Sequence, residues 1–277
     1  MLAHKWADHK STFPFPCHVQ PKLNGVRGLY STGIFQSRDN HVWRRPVVEH
    51  LLEELRAACP PYLILDGELY LHGKSLQQIN GAISVNRLAP SSLTPEIEYH
   101  VFDCISTHEL HLPFSKRAEI LHSLGERLVA VGGRRVKIVP TTFVAEPGLD
   151  ETLFATYRAG GYEGLMYRDS SSPYGFEEEC GNKENRWKRL LKRKEWQDGE
   201  FEIQGIVETT GEKGNQGFQL SCITEAGATF EVGSGLSKEE LAHYLEYSPT
   251  GLLARIRFEC LSDGGIPLKP TIEAILE

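Results

Sequence analysis

Lys22-Leu-Asn-Gly-Val-Arg27 joins two segments of strand character, CHVQPKL (17–23) and VRGLYSTGIF (26–35). Both are rich in Val, Leu, Ile, Tyr and Phe, and the glycine between them marks a tight turn. Strand–turn–strand geometry sets Lys22 near a strand end, where it can face a cleft. Gly25 permits a close backbone, and Arg27 returns toward the same place. A lysine near a second cation and partly withdrawn from water has its pKa pulled down and can act as a nucleophile. Most lysine–glycine–arginine combinations are solvated turn residues, so the hexapeptide needs support from elsewhere in the chain.

That support lies on either side. YLILDGELYL (62–71) is a very apolar strand interrupted by Asp66-Gly67-Glu68. Acids inside a buried strand are uncommon unless they bind something, although a β-bulge with solvent-facing acids would read the same way. IEYHVFDCI (97–105) alternates as a strand does and contains Phe102, a residue type more often core than stacking platform. Glu163-Gly164-Leu165-Met166-Tyr167 opens a further strand after a glycine pair, and its acid suits a metal ion or a simple turn. In RWKRLLKRK (186–194), Lys192 and Lys194 stand two residues apart on one face, as edge-strand lysines commonly do.

Between these strands run helical patterns: PVVEHLLEELRAAC (46–59) after a proline start, PFSKRAEILHSLGERLVAV (113–131) and LDETLFATYRAG (149–160). VKIVPTTFV (136–144) reads as one more strand. The irregular alternation predicts an α+β domain with largely antiparallel sheets. After Lys194 the texture changes to short strands between Gly-rich turns. One helix follows from Ser237, with Glu240 three residues on as a capping box, and then a last strand, LLARIRFECLS (252–262). That pattern fits a small OB-fold β-barrel, with the boundary near Gln197–Gly199 and domains over 1–197 and 198–277.

At 277 residues and 40% hydrophobic content the chain can bury a substantial core. Six cysteines are scattered singly with no C-x-x-C pair, as in reduced cytosolic proteins, and zinc binding by such pairs is excluded. No signal-like or membrane-spanning apolar run is present, so a cytoplasmic location is expected. The net charge of −7 is unevenly spread: from Asp198 onward there are 5 basic and 14 acidic residues, leaving 25 basic and 23 acidic before it. The basic run Arg186–Lys194 therefore remains available to phosphates despite the overall acidity.

Taken in order, these elements resemble the covalent nucleotidyltransferase superfamily of ATP-dependent DNA ligases, RNA ligases and mRNA capping enzymes. KLNGVR is similar to motif I (K-x-D-G-x-R), Ser37-Arg38 to the short motif after it, and LDGEL to motif III. YHVFD is similar to motif IIIa, EGLMYR to motif IV and LLKRK to motif V. Six ordered elements over about 175 residues are far more specific than one hexapeptide. The resemblance is closest to small phage, viral and bacterial ligases that lack an extra N-terminal DNA-binding domain.

The resemblance implies an adenylation domain followed by an OB-fold domain, and the following roles. Lys22 would attack the ATP α-phosphate and carry AMP. Arg27 and Glu68 would contact the ribose, with Phe102 stacked on adenine and Gln20 beside the adenine edge. Arg38 would bind phosphate, including that of the nick. Glu163 would hold Mg²⁺, or Mn²⁺ in its place, with help from Asp66. Lys192 and Lys194 would hold the α-phosphate, and Lys269 the pyrophosphate. Arg186, Lys188, Arg189 and Arg193 would join Arg38 on the duplex backbone, with a nick as substrate and a monomer as the working form. Asn24 replaces the usual Asp of motif I, and Pro267-Leu268-Lys269 replaces the usual Pro-Arg of motif VI. RNA ligases usually lack the motif I arginine and often lack such a tail, and no convincing R-x-D-K element of capping enzymes is present. A non-catalytic DNA-binding relative is the alternative from a different class.

Overall fold

The structure is a computed structural model that describes residues 2–175, 186–210 and 216–276. The first elements are β1 (Leu2–Lys5), α1 (Trp6–His9), β2 (Cys17–Lys22), β3 (Val26–Ser31), β4 (Ile34–Ser37), α2 (Arg45–Ala58), β5 (Leu63–Tyr70) and α3 (Leu76–Ile83). Then come β6 (Glu98–Ser106), α4 (Phe114–Ala130), β7 (Val136–Ile138), β8 (Thr142–Val144), α5 (Leu149–Ala159), β9 (Gly164–Asp169) and β10 (Arg186–Lys194). The C-terminal part holds β11 (Gln197–Thr210), β12 (Gln216–Ile223), β13 (Thr229–Val232), α6 (Lys238–Glu246), β14 (Leu253–Phe258), β15 (Cys260–Leu261), β16 (Pro267–Leu268) and β17 (Thr271–Leu276). The chain divides into two compact units, Met1–Arg193 and Lys194–Glu277. Gln197 to Gly199 pair with Phe258 to Ile256 at the start of β11, and the break between β10 and β11 falls at Glu195 and Trp196. No described helix is long and apolar enough to cross a membrane.

The first unit is built on two five-stranded sheets, ordered β4-β3-β5-β6-β7 and β1-β10-β9-β2-β8. Most of the registered pairings are antiparallel; β6–β7 and β1–β10 are parallel. Two sequence expectations change here. VRGLYSTGIF is a hairpin of β3 and β4, because Thr32 and Gly33 both take positive φ (46° and 86°), the geometry of a two-residue turn matched to strand twist. VKIVPTTFV is two strands, β7 and β8, which enter different sheets. Pro140 lies between them and has no N–H to continue a ladder.

The apolar stripe of α2 (Val47, Val48, Leu51, Leu52, Leu55) packs into the core cluster with Leu63, Leu65, Leu69, Tyr99 and Val101. Leu121, Leu124 and Leu128 of α4 join them. Arg117 sits in the same stripe of α4 and is buried with Asp103 of β6 and Arg168 of β9. Asp103 Oδ1 accepts from Arg117 Nε at 2.7 Å, and Asp103 Oδ2 accepts from Arg168 Nη1 at 2.7 Å. One carboxylate on one sheet thus ties a helix and the other sheet together.

The second unit is a five-stranded antiparallel sheet, β13-β12-β11-β14-β17, with α6 between β13 and β14 and a β15–β16 hairpin beside it. Its core is Ile203, Leu220, Cys222, Phe230, Val232, Ala254, Ile256, Phe258 and Ile272. The arrangement is OB-fold-like. Among the described residues no ladder closes β13 onto β17; Ser234, just after β13, accepts the Ile272 N–H at 2.9 Å and donates through Oγ to the Pro270 carbonyl at 3.1 Å and Thr271 Oγ1 at 3.3 Å. Ser237 and Glu240 form the expected capping box. The last strand is β17 and not LLARIRFECLS, which ends in the β15–β16 hairpin.

Asp103→Asn removes the charge that both buried arginines face. It should destabilise the protein by about 3–5 kcal/mol in a urea titration, the range for breaking a buried ion pair. A loss below about 1 kcal/mol would mean that the clamp contributes little.

Candidate active site

Lys22 ends β2 and pairs with Gly164, the first residue of β9. That register brings Glu163, immediately before β9, back to Lys22: the Glu163 N–H donates to the Lys22 carbonyl at 3.0 Å, and Lys22 Nζ donates to the Glu163 carboxylate. Nζ also reaches the Leu23 carbonyl at 3.2 Å. Both side chains are about one-fifth exposed, 19% and 18%, so the pair is accessible but not fully hydrated. The motif I glycine is sterically required. A Cβ on Gly25 would stand 2.4 Å from the Leu69 carbonyl oxygen and 2.8 Å from Glu68 Cγ.

Lys22 opens into a cavity of about 350 Å³ lined by Gln20, Arg27, Arg38, Asp66, Glu68, Phe102, Met166, Arg168, Leu190 and Lys192, with Leu2 and Ala3 of β1. A wider groove of about 750 Å³ lies along α4, β7 and β8, but its lining is largely apolar and gathers no comparable set of charged groups. The charge chemistry therefore assigns the smaller cavity as the site.

Within it, Arg27 faces Asp66 across the β3–β5 pairing. Nε donates to Oδ1 at 2.8 Å and Nη2 to Oδ2 at 2.7 Å, while Tyr174 Oη donates to Oδ2 at 2.9 Å. Asp66 is 1% exposed and spends both oxygens on these partners. Glu68 Oε1 accepts the Gly25 N–H at 3.1 Å. Between β5 and β6 the register slips after Asp66–Asp103 to Gly67–Val101, so Phe102 is the extra residue of a bulge. Phe102 lines the cavity while Asp103 beside it is fully buried. Gln20 is 1% exposed, and its amide is bonded to the Phe102 carbonyl, Thr141 and Arg168.

Alternation along β10 separates its cations. Leu190 and Lys192 line the cavity, whereas Leu191 enters the core on the opposite face. Arg193 follows Leu191 to that face. Its two terminal nitrogens donate to Glu151 at 2.8 Å each, and its guanidinium lies 4.1 Å from the centroid of the Phe154 ring. Arg193, expected on the DNA backbone, is thus committed to α5. Arg189 donates to Asp169 at 2.8 Å but is 53% exposed. Lys188 is exposed, and so is Arg38, which lies 3.6 Å from Asp39. The Arg186 side chain lies outside the described residues. Lys194 and Lys269, both in the second unit, flank Glu259 at 3.0 and 2.7 Å. Burial works against the Glu259 charge, but the two ammonium groups draw its carboxyl below the usual range.

Leu2, Ala3, Arg168 and Tyr174 are among the residues of the site to which the sequence gives no role. Leu2 and Ala3 reach it because β1 pairs in parallel with β10, a long-range match with no local signal. Tyr174 follows a Ser-Ser-Ser-Pro stretch that reads only as loop. Arg168 ends the EGLMYR motif, and its alternation with Met166 was a usable sign that it faces the cavity.

Burial pushes the Glu68 carboxyl up from 4.5 to about 7, with the Lys22 charge and the Gly25 N–H drawing it partly back. The unfolded chain releases this proton near pH 4.5 and the fold retains it to about 7. The group's contribution to stability is therefore present below pH 4.5 and lost as pH rises through about 7. The Tm of the wild type minus that of Glu68→Gln should fall across this interval; a difference independent of pH would contradict the burial.

The family model described as "ATP dependent DNA ligase domain" matches residues 1–194. A DNA ligase of African swine fever virus (isolate Warthog/Namibia) is 29% identical over 202 residues, covering 71% of this chain and 45% of the viral protein. The chain thus spans less than half the length of the curated relatives it matches. Among solved structures, a Lig E DNA ligase superimposes with a TM-score of 0.78 at 20% identity, covering 100% of this chain and 98% of that one. The Chlorella virus DNA ligase-adenylate superimposes at 0.56 with 21% identity, covering 100% and 97%. These two likenesses establish the fold over both units, and the family model spans Lys22, Glu68, Phe102, Glu163 and Lys192. The chain belongs to the ATP-dependent DNA ligase domain family.

Proposed function

We propose that this protein is an ATP-dependent DNA ligase that adenylates its own Lys22 and uses the AMP to seal nicks in duplex DNA. The observation that carries the reading is Lys22 Nζ at the mouth of a cavity that also presents Phe102, Glu68, Arg27 and Lys192. An aromatic face, acceptors for ribose hydroxyls and cations for phosphate are what a nucleoside triphosphate needs, and nucleotidyl transfer depends chiefly on positioning and charge neutralisation.

Lys22 Nζ attacks the α-phosphorus of ATP; a P–N bond forms, the bond to the β-phosphate oxygen breaks and pyrophosphate leaves. The nick 5′-phosphate then takes the AMP from Lys22, and the 3′-hydroxyl displaces AMP to form the phosphodiester. Arg27 is held by Asp66 and Tyr174 in a fixed pose toward the nucleotide, with Glu68 beside it at the ribose. Lys192 steadies the α-phosphate. Lys194 and Lys269 serve the phosphates once Glu259 releases them. Arg38, Lys188 and Arg189 are the exposed cations for the DNA backbone, whose contacts are sequence-independent and salt-sensitive.

No cluster of three metal-ligating side chains occurs among the described residues. That fits Mg²⁺, which is commonly held by one or two carboxylates together with substrate phosphates and water. Glu163, whose carboxylate accepts from the partly exposed Lys22 ammonium, is the carboxylate for it, whereas Asp66 is committed to Arg27 and Tyr174. Bound there, the ion would neutralise phosphate charge. We place the enzyme in the cytoplasm as a monomer.

Incubation with ATP labelled on the α-phosphate should leave label on the wild type in a denaturing gel, and none on Lys22→Ala. Nicked duplex DNA should discharge the labelled wild type. An unlabelled wild type, after pyrophosphate treatment to remove any bound AMP, would refute the mechanism.

A further inference from the structure

Arg168 is 4% exposed and lines the Lys22 cavity from β9. Its Nε donates to Gln20 Oε1 at 2.6 Å and its Nη1 to Asp103 at 2.7 Å. The guanidinium carbon lies over the Phe102 ring, 5.3 Å from its centroid. Gln20 Nε2 donates to the Phe102 carbonyl at 3.0 Å and to Thr141 Oγ1 at 2.9 Å. A primary amide has two N–H donors and one oxygen with two lone pairs. Both donors are used. What Gln20 can still offer a ligand is the second lone pair of Oε1. Flipping the amide would turn its NH₂ toward the Arg168 guanidinium, donor against donor, so Arg168 forbids the flip.

We infer that Arg168 is a positioning residue for nucleobase selection: it locks Gln20 as an acceptor and backs the Phe102 ring against which the base lies. The inference rests on the cavity being the ATP site. An acceptor held at the base edge favours a purine with an amino group at position 6, as in adenine, over one with an oxygen there, as in guanine. Lysine cannot do the same task, because a single ammonium has neither the planar face nor the fixed fork that serves Asp103 and Gln20 together.

The test is direct binding of ATP and of GTP by calorimetry in a Lys22→Ala background, which removes covalent transfer. Arg168→Lys and, separately, Thr141→Val are compared with that background, and thermal melts report folding. Arg168→Lys should weaken ATP binding by about tenfold while GTP changes far less, so that selectivity collapses. Thr141→Val, which loosens the other anchor of Gln20, should erode selectivity in the same direction. Equal losses for both nucleotides, or an unchanged ratio in a folded Arg168→Lys protein, would overturn the inference. If Arg168→Lys does not fold, the ratio measured for Thr141→Val decides. Wild type that binds ATP but forms no labelled adduct would overturn the ligase reading and leave the selectivity ratio to judge Arg168. A Lys22→Ala protein that binds neither nucleotide would overturn both.

Discussion

A single aspartate, Asp103, stands fully buried between the guanidinium groups of Arg117 and Arg168. A lone charge in such a place is costly to desolvate, and it persists only where partners surround it. Here the partners come from a helix and from the opposite sheet. The cost of leaving any of the three unpaired fixes the spacing of the elements that carry them. The Lys22 cavity lies across that spacing: Phe102 precedes Asp103 on one sheet, while Gln20 and Lys22 stand on the other, which also carries Arg168. Packing of apolar side chains alone tolerates small slips between sheets; a bidentate ion pair does not.

The charge pairs of the two units differ in how tightly each is held. Asp66 holds Arg27 with two short bonds and a tyrosine behind them, an arrangement with little freedom. The Lys22–Glu163 pair is looser, made by two partly exposed side chains at strand ends. In the second unit Glu259 gathers Lys194 and Lys269, with Lys269 itself 70% exposed and carrying a positive φ of 51°. Fixed pairs can preorganise a site, whereas accessible pairs can exchange one anion for another at smaller cost. The burial of Glu68, which keeps its proton to about pH 7, belongs with the fixed part.

Wherever one-dimensional patterns suffice, the structure follows them. The 3.6-residue stripe of α2, the capping box at Ser237 and the turn at Gly25 are local matters of helix periodicity, donor satisfaction and Cβ sterics. Departures occur where the local pattern is incomplete. Pro140 splits a presumed strand because it has no N–H to give, and Thr32–Gly33 folds another into a hairpin because both residues take positive φ. Arg117 in the apolar stripe of α4 was visible as a charge at a core position, but nothing near it in the chain announced Asp103 and Arg168 as partners.

The amino-acid sequence by itself determined which residue types stand at which strand ends, and hence the order of the motifs, the family and the candidate nucleophile. Strand alternation likewise determined that Lys192 and Arg193 face opposite ways. Tertiary structure alone decided which of these groups remain available. It committed Asp66 to Arg27, sent Arg193 to Glu151, bound Gln20 on three sides and brought Leu2 and Ala3 to the cavity wall. The physical reason is that hydrogen bonds and ion pairs are satisfied by proximity in space. Gln20 and Arg168 lie 148 positions apart in the chain, yet 2.6 Å separates the atoms that join them.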